Sequence, residues 1–127
     1  MAGAIYDAGA LVAAERDDVR MWATHRELIE EGVVPVVPAP VLAQAWRGGS
    51  RQALLARLLG SCEVEDMDEA RSRAIGSLCG RAGHHDIADV AVIEASLRRG
   101  DVVVTSDPRD LERVASAVGS RLYTIAV

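Results

Sequence analysis

The sequence predicts an α/β domain in which a mostly parallel sheet lies between two layers of helices, a three-layer α/β/α sandwich. Two observations lead to this class. Short apolar runs alternate with longer segments of helical periodicity, and no repeat, linker or low-complexity segment interrupts the alternation. Strands that are separated by helices pair in parallel, because a helical crossover returns the chain to the same edge of the sheet. We therefore expect residues 1–127 to form one domain.

The first elements are a strand, a helix and a second helix. The apolar run 3–6 ends at Asp7, and the Ala- and Leu-rich segment 8–15 that follows favours a helix. Apolar residues then recur at helical spacing over 18–31, which predicts an amphipathic helix. His25 lies on its apolar stripe, where we expect a satisfied core side chain rather than a ligand.

Prolines and glycines set the predicted ends of the strands and helices in the middle of the chain. The β-branched run 33–37 is a strand that Pro35 confines to an edge or leaves short. A helix over 39–47 ends at paired glycines, and Ser50 is expected to cap the next helix. The later elements predicted are a brief edge strand within 61–67, a helix capped by Asp68, a helix over 86–100, a strand over 102–105, a helix over 107–118 and a strand over 121–127.

Composition excludes several classes of function. All 14 basic residues are arginine, so no lysine is present to form a Schiff base, and neither a dinucleotide-binding glycine motif nor a P-loop occurs. The formal net charge of -5 is unfavourable for non-specific nucleic-acid binding, so any nucleic-acid chemistry needs local arginines and bound cations. Neither a secretory leader nor an apolar run of membrane-spanning length is found, and we expect a cytoplasmic protein without a membrane segment.

Cysteines and histidines do not form a metal motif in this sequence. Cys62 and Cys79 are too few and too far apart for a disulfide framework or a zinc knuckle, and we expect reduced core thiols. The adjacent residues His84 and His85 point in different directions on a glycine-bounded loop, so we expect solvated loop residues.

Two carboxylates follow predicted strands directly. Asp7 ends the first strand, and Asp107 follows the strand over 102–105. In open α/β sheets ligands bind at the carboxyl ends of the strands, so both positions are candidates for chemistry. Each acid also opens a helix, and Asp107 with Pro108 and Asp110 makes a well-formed helix start, so N-capping is an equally good explanation.

Asp89 favours the chemical interpretation. It belongs to a segment, 87–97, with few polar residues, and a buried carboxylate costs several kcal/mol unless a cation or donor neutralises it. A capping pair of Asp86 and Asp89 is one explanation. The sharper hypothesis is that Asp7, Asp89 and Asp107 converge on Mg2+ or Mn2+, with Asp86 and Asp110 near the rim. Such a site can activate water and hold a phosphodiester for in-line attack.

Four segments together resemble a known family. "YDAGALVAAE", "PAPVLAQAWRGGSRQ", "DIADVAVIEA" and "VVVTSDPRDL", in this order and spacing, are similar to PIN domains of the VapC toxin type, from type II toxin-antitoxin systems. The resemblance implies a sheet whose first strand is central and lies beside the fourth. It also implies a Mg2+- or Mn2+-dependent endoribonuclease that cleaves RNA, is inhibited by a cognate antitoxin and often forms a homodimer.

The resemblance assigns Asp7, Asp89 and Asp107 to the acidic catalytic and metal-binding positions and Asp110 to an accessory one. Gln44 stands where many PIN domains have glutamate, and an amide supplies no negative charge, which weakens a second metal most. A catalytically degenerate PIN domain that acts as an antitoxin-binding or scaffold module is therefore the alternative. The candidates for contact with substrate are Gln44, Thr105, Ser106, Arg47 and Arg109, with Arg51 as a further arginine near the cleft.

Overall fold

The structure, a computed structural model, describes residues 3–127 and confirms the α/β class with a five-stranded parallel sheet. The strands are β1 (Ala4–Tyr6), β2 (Val36–Pro38), β3 (Glu63–Glu65), β4 (Val102–Thr105) and β5 (Thr124–Ala126). The helices are α1 (Ala8–Glu15), α2 (Val19–Glu30), α3 (Ala39–Ala45), α4 (Ala53–Leu59), α5 (Glu69–Ala82), α6 (Ile87–Arg99) and α7 (Pro108–Ala117). No helix within residues 3–127 is long and apolar enough to cross a membrane.

The strand order is β3-β2-β1-β4-β5, and every pair is parallel. The first strand is therefore central and lies beside the fourth, as the family resemblance implied. Tyr6, the last residue of β1, pairs with Val104 near the end of β4. The next residue, Asp7, donates its backbone N–H to the Val104 carbonyl over 3.3 Å. The chain segments that follow these two strands thus begin side by side at one edge of the sheet.

A polar network in the core shows why a histidine can lie on the apolar stripe of α2. His25 is buried, with Nδ1 2.7 Å from the Tyr6 hydroxyl and Nε2 2.7 Å from the Ser61 hydroxyl. Burial lowers its pKa, which favours the neutral imidazole that can donate from one nitrogen and accept at the other. His25 is a satisfied core side chain, as predicted.

The two cysteines are free thiols, also as predicted. Cys79 is buried, whereas Cys62 is only half-buried. Burial raises the pKa of Cys62 to about 12 and raises that of Cys79 as well, so both remain protonated and unreactive at neutral pH.

Two local predictions need correction. The second strand begins at Val36 rather than at residue 33; of the two expected effects of Pro35, the structure confirms the short strand, which is interior and not at an edge. Ser50 does not cap a helix; it begins a 3-10 turn, Ser50–Gln52, and makes no side-chain capping bond.

Gln52 precedes α4 without capping it, and its side chain instead binds the end of α3. Its buried amide oxygen accepts from the backbone N–H groups of Arg47 and Gly48 over 2.7 and 2.8 Å. Its amide nitrogen donates to Glu15 over 2.6 Å and to the Ala45 carbonyl over 2.8 Å. A single buried amide thus satisfies three backbone groups between the end of α3 and the first glycine of the turn.

Candidate active site

Asp7 lies at the carboxyl end of the central strand and caps α1. Its carboxylate is only 7% exposed and accepts the Ala10 backbone N–H over 2.8 Å. Burial raises its pKa; hydrogen bonds from Thr105 and Ala10 oppose this rise, and the negative charges of Asp89 and Asp107 add to it. Asp7 is therefore both the predicted N-cap and a desolvated carboxylate surrounded by other acids.

Thr105 links two of these acids. It is the last residue of β4 and is fully buried. Its hydroxyl oxygen accepts the Asp107 backbone N–H over 2.9 Å, and its side chain opposes the rise of the Asp7 pKa. One threonine thus fixes the start of the Asp107 turn and favours the ionised form of Asp7.

Asp107 and Asp110 form the helix start that the sequence predicted. Asp107 is exposed and caps α7, where one oxygen accepts the Asp110 N–H over 3.3 Å and Pro108 occupies the first helical position. Asp110 is half-buried and lies 3.3 Å from Arg113. The capping bond uses only Oδ1 of Asp107, so capping and metal ligation are compatible at this residue.

Asp89 is half-buried in the first turn of α6. Its backbone N–H donates to Asp86 over 3.0 Å, so the capping role of Asp86 is confirmed. Its own carboxylate lies 3.1 Å from Nε2 of His84. Burial raises the Asp89 pKa, the His84 contact opposes the rise, and the charges of Asp86 and Asp110 add to it.

His84 was expected to be solvated, and that expectation was wrong. The left-handed conformation of Gly83, with φ +64°, ends α5 and turns the chain so that the His84 ring reaches Asp89; His85 is exposed, as expected. The contact joins a loop residue to a residue of the first helical turn five positions later. Hydrophobic periodicity indicates which residues are buried, so it could not predict this contact between two polar side chains.

The PIN domain family matches residues 4–117, nearly the whole chain. The chain belongs to the PIN domain family. Among solved structures, the VapBC2 complex of Rickettsia felis, bound to a DNA fragment from its promoter, is similar at a TM-score of 0.70 and 14% identity, covering 98% of both chains. PAE2754 from Pyrobaculum aerophilum is similar at a TM-score of 0.62 and 15% identity, covering 95% of this chain and 83% of that one. At these identities the likeness shows the fold. No curated protein matches the sequence.

Gly9 allows two parts of this PIN domain to approach closely. A Cβ at Gly9 would lie 2.1 Å from Oγ and 3.2 Å from Cβ of Ser106, so any larger residue would force the Ser106 hydroxyl to rotate away and would crowd the turn that carries Asp107. Sequence reasoning missed Gly9. A glycine within an otherwise Ala- and Leu-rich helix was the available signal, because such a glycine weakens the helix unless close packing requires it.

The predicted substrate-contacting residues are spread around the site. Gln44 is exposed on α3, and Ser106 and Arg109 are exposed at the start of α7. Arg47 is exposed, but its guanidinium donates to the carbonyls of Ala43 and Trp46, over 3.3 and 2.7 Å, and so caps the end of its own helix.

A groove of about 410 Å³ lies on the α1 side, and two of the residues that line it, Gly9 and Ser106, are near Asp7 and Asp107 in the chain. Arg16 and Asp18 also line the groove, whereas none of the five acids does. Arg16, which is exposed, had not been singled out from the sequence, since a lone arginine at a helix end looks like ordinary surface charge.

The donor atoms of the five acids fit a hard divalent cation. They are carboxylate oxygens, the ligands that Mg2+ and Mn2+ prefer. Within residues 3–127, no three histidine, cysteine or acidic side chains lie in an arrangement that could hold a metal ion. The acids nevertheless share an edge of the sheet closely enough that two of them raise the pKa of Asp7.

Proposed function

We propose that this PIN domain is a Mg2+- or Mn2+-dependent endoribonuclease of the VapC toxin type. The observation that carries the proposal is the buried Asp7 carboxylate, whose pKa is raised by burial and by the charges of Asp89 and Asp107. No basic side chain within residues 3–127 offsets that cost. A carboxylate in this condition is suited to a cation from outside the chain.

In this proposal Asp7, Asp89 and Asp107 hold the ion and are the catalytic residues, and Asp86 and Asp110 stand at the margin of the metal site. An ion held by these acids would supply polarisation of a water molecule and of a phosphoryl oxygen. The protein supports both acids through Thr105, which accepts the Asp107 backbone N–H and favours the ionised form of Asp7. Asp86 holds the start of α6, on which Asp89 lies.

The RNA contacts proposed are the exposed Gln44, Arg47 and Arg109, with Ser106 and Thr105 forming the polar turn beside the acids. To these we add Arg16, which lines the same groove as Ser106. A protein of net charge -5 needs such local cations near the cleft, because phosphate binding is electrostatic.

We further propose that residues 1–127 form a single-domain cytoplasmic toxin with a cognate antitoxin as its partner. The similar Rickettsia structure is a VapBC2 complex, which supports the antitoxin. Self-association into a homodimer is supported by Trp46, 40% exposed at the end of α3, because aromatic residues commonly anchor interfaces. Sedimentation at high micromolar concentration should show a dimer, and a strict monomer would contradict this assignment.

One observation favours a second function. Gln44 provides no charge, and the described residues contain no closed three-ligand group, so a degenerate PIN domain that only binds an antitoxin is the alternative. The two functions differ in whether structured RNA is cut when Mg2+ or Mn2+ is added.

The deciding experiment compares RNA cleavage by the wild type, by Asp89→Asn and by Asp66→Asn, which alters an exposed acid outside the cluster. We expect cleavage with Mn2+ and none with EDTA, loss of cleavage in Asp89→Asn, and normal cleavage in Asp66→Asn.

Thermal melts add an independent test. Asp89→Asn should raise the melting temperature in EDTA, because it relieves repulsion. It should also reduce the stabilisation by Mn2+, ~2.7 kcal/mol for wild type at a hundredfold excess over the Kd. A metal-independent loss of stability would instead make Asp89 a structural cap.

A further inference from the structure

The acid edge is the edge of the sheet where Asp7, Asp86, Asp89, Asp107 and Asp110 lie. The proposed function leaves one of its features unexplained, the contact between His84 and Asp89. The two side chains are similarly half-buried, at 28% and 29% exposure, and Nε2 lies 3.1 Å from Oδ2. His84 is held at its place by the end of α5, where its backbone N–H donates to the Cys79 carbonyl over 3.3 Å. A histidine fixed at both its backbone and its ring is not a freely solvated loop residue.

The chemistry of the contact sets the direction of the hydrogen bond. An ionised carboxylate can only accept, so Nε2 carries the proton and donates. The bond occupies Oδ2 alone, and Oδ1 of Asp89 has no hydrogen-bond partner within residues 3–127. Asp89 therefore keeps one oxygen for another ligand while the ring limits how its carboxylate can turn.

We propose that His84 is a positioning residue for metal binding: its ring N–H holds Oδ2 of Asp89 so that Oδ1 remains available to the cation. The inference rests on the proposed metal site and adds to it a residue outside the acidic set. Hydrogen bonds that orient metal-ligating carboxylates typically change metal affinity by ~10- to 100-fold when they are removed.

Mn2+ titration calorimetry tests the proposal on four proteins. His84→Ala should weaken Mn2+ binding at least ~10-fold. His84→Gln, whose amide N–H lies at a similar distance along the side chain, should restore most of the affinity. His85→Ala removes a neighbouring exposed histidine that makes no side-chain hydrogen bond within the described residues, and its affinity should equal that of wild type.

A second measurement needs no metal. In nitrogen-15 spectra of the metal-free protein, Asp89→Asn should shift the ring signals of His84 and leave those of His85 unchanged. A purely structural role for His84 would lower the stability of His84→Ala and leave its Mn2+ affinity equal to that of wild type.

The outcomes separate the two proposals. If wild type binds no Mn2+, the proposed metal nuclease fails and the role of His84 fails with it. If wild type binds but His84→Ala behaves like His85→Ala, only the role of His84 is overturned. An increase in affinity would also overturn it, since His84 would then compete with the metal for Asp89, and unshifted His84 ring signals would show that the contact is absent.

Discussion

Two buried carboxylates in this protein have opposite surroundings. Asp7 at the carboxyl edge of the sheet is 7% exposed, and Glu94 in the middle of α6 is 9% exposed. Glu94 lies 2.6 Å from Nη1 of Arg71 and 2.9 Å from Nε of Arg98. Asp7 has no arginine or histidine partner within residues 3–127. The charged groups that act on it are two other acids, Asp89 and Asp107.

The arginine contacts continue beyond Glu94. Arg98 also pairs with Glu65 of the edge strand β3, and Arg99 lies 3.1 Å from Glu65 and 2.9 Å from Asp101. Hydrogen bonds and charges from these acids raise the pKa of both arginines, so the cations remain firmly charged. The network ties β3, α6 and the start of β4 together.

The difference teaches how to separate structural acids from functional ones in this fold. Where a buried carboxylate supports the architecture, the chain supplies arginines to neutralise it. To the buried Asp7 it supplies none, although 14 arginines are available. A protein keeps an uncompensated buried charge only where something else offsets the cost, which is why the acid edge is the site proposed for a metal ion.

The largest effect is expected at Glu94. Glu94→Gln leaves Arg71 without its charged partner and should destabilise the protein by ~3 kcal/mol, the lower end for a broken buried pair because both arginines reach solvent. Urea denaturation measures the loss. The matched control is Glu69→Gln, which removes a helix-surface pair of 79% and 81% exposed side chains and should cost less than ~1 kcal/mol. Equal losses would erase the distinction between buried and surface acids.

Asp7→Asn should have the opposite sign. An asparagine can still cap α1, but it removes the charge, so metal-free protein at pH 7 should gain ~1 kcal/mol, or roughly 3 to 6 °C in Tm. Because the folded pKa of Asp7 is raised, its ionised form destabilises the fold above that pKa. The gain should therefore shrink as pH falls towards ~3.9, the ordinary value for Asp. Melts in EDTA at several pH values measure this, and a loss at pH 7 would mean that repulsion at Asp7 is negligible.

The smallest effect is expected at Gln44. Gln44→Glu adds a charge where many PIN domains carry one and should tighten Mn2+ binding and raise the nuclease rate by a few-fold. Ala43→Glu places the same charge at the neighbouring exposed position of α3 and serves as the control. If calorimetry shows the same affinity for both variants and wild type, Gln44 lies outside the metal site.

Local sequence patterns determined the elements and their ends. Asp18, Asp68 and Asp86 were each assigned to the start of a helix, and each carboxylate accepts a backbone N–H three residues later. Such caps depend on residues within one turn, so the sequence carries them fully. Predictions failed where more than one nearby side chain could bind the backbone, because residue propensities do not say which one does. Near Ser50, the amide oxygen of Gln52 accepts the backbone N–H groups of the turn.

The sequence by itself determined the α/β alternation and the placing of Asp7 and Asp107 after strands, because periodicity and chain order are properties of neighbouring residues. Only the tertiary structure decided that Asp7 has no arginine partner within residues 3–127 while Glu94 has two. It also decided that the Asp89 carboxylate contacts the His84 ring. Apolar patterning indicates that a position is buried but not which charge lies opposite. For Glu94 one partner, Arg71, belongs to a different helix, and α5 meets α6 only in the folded domain.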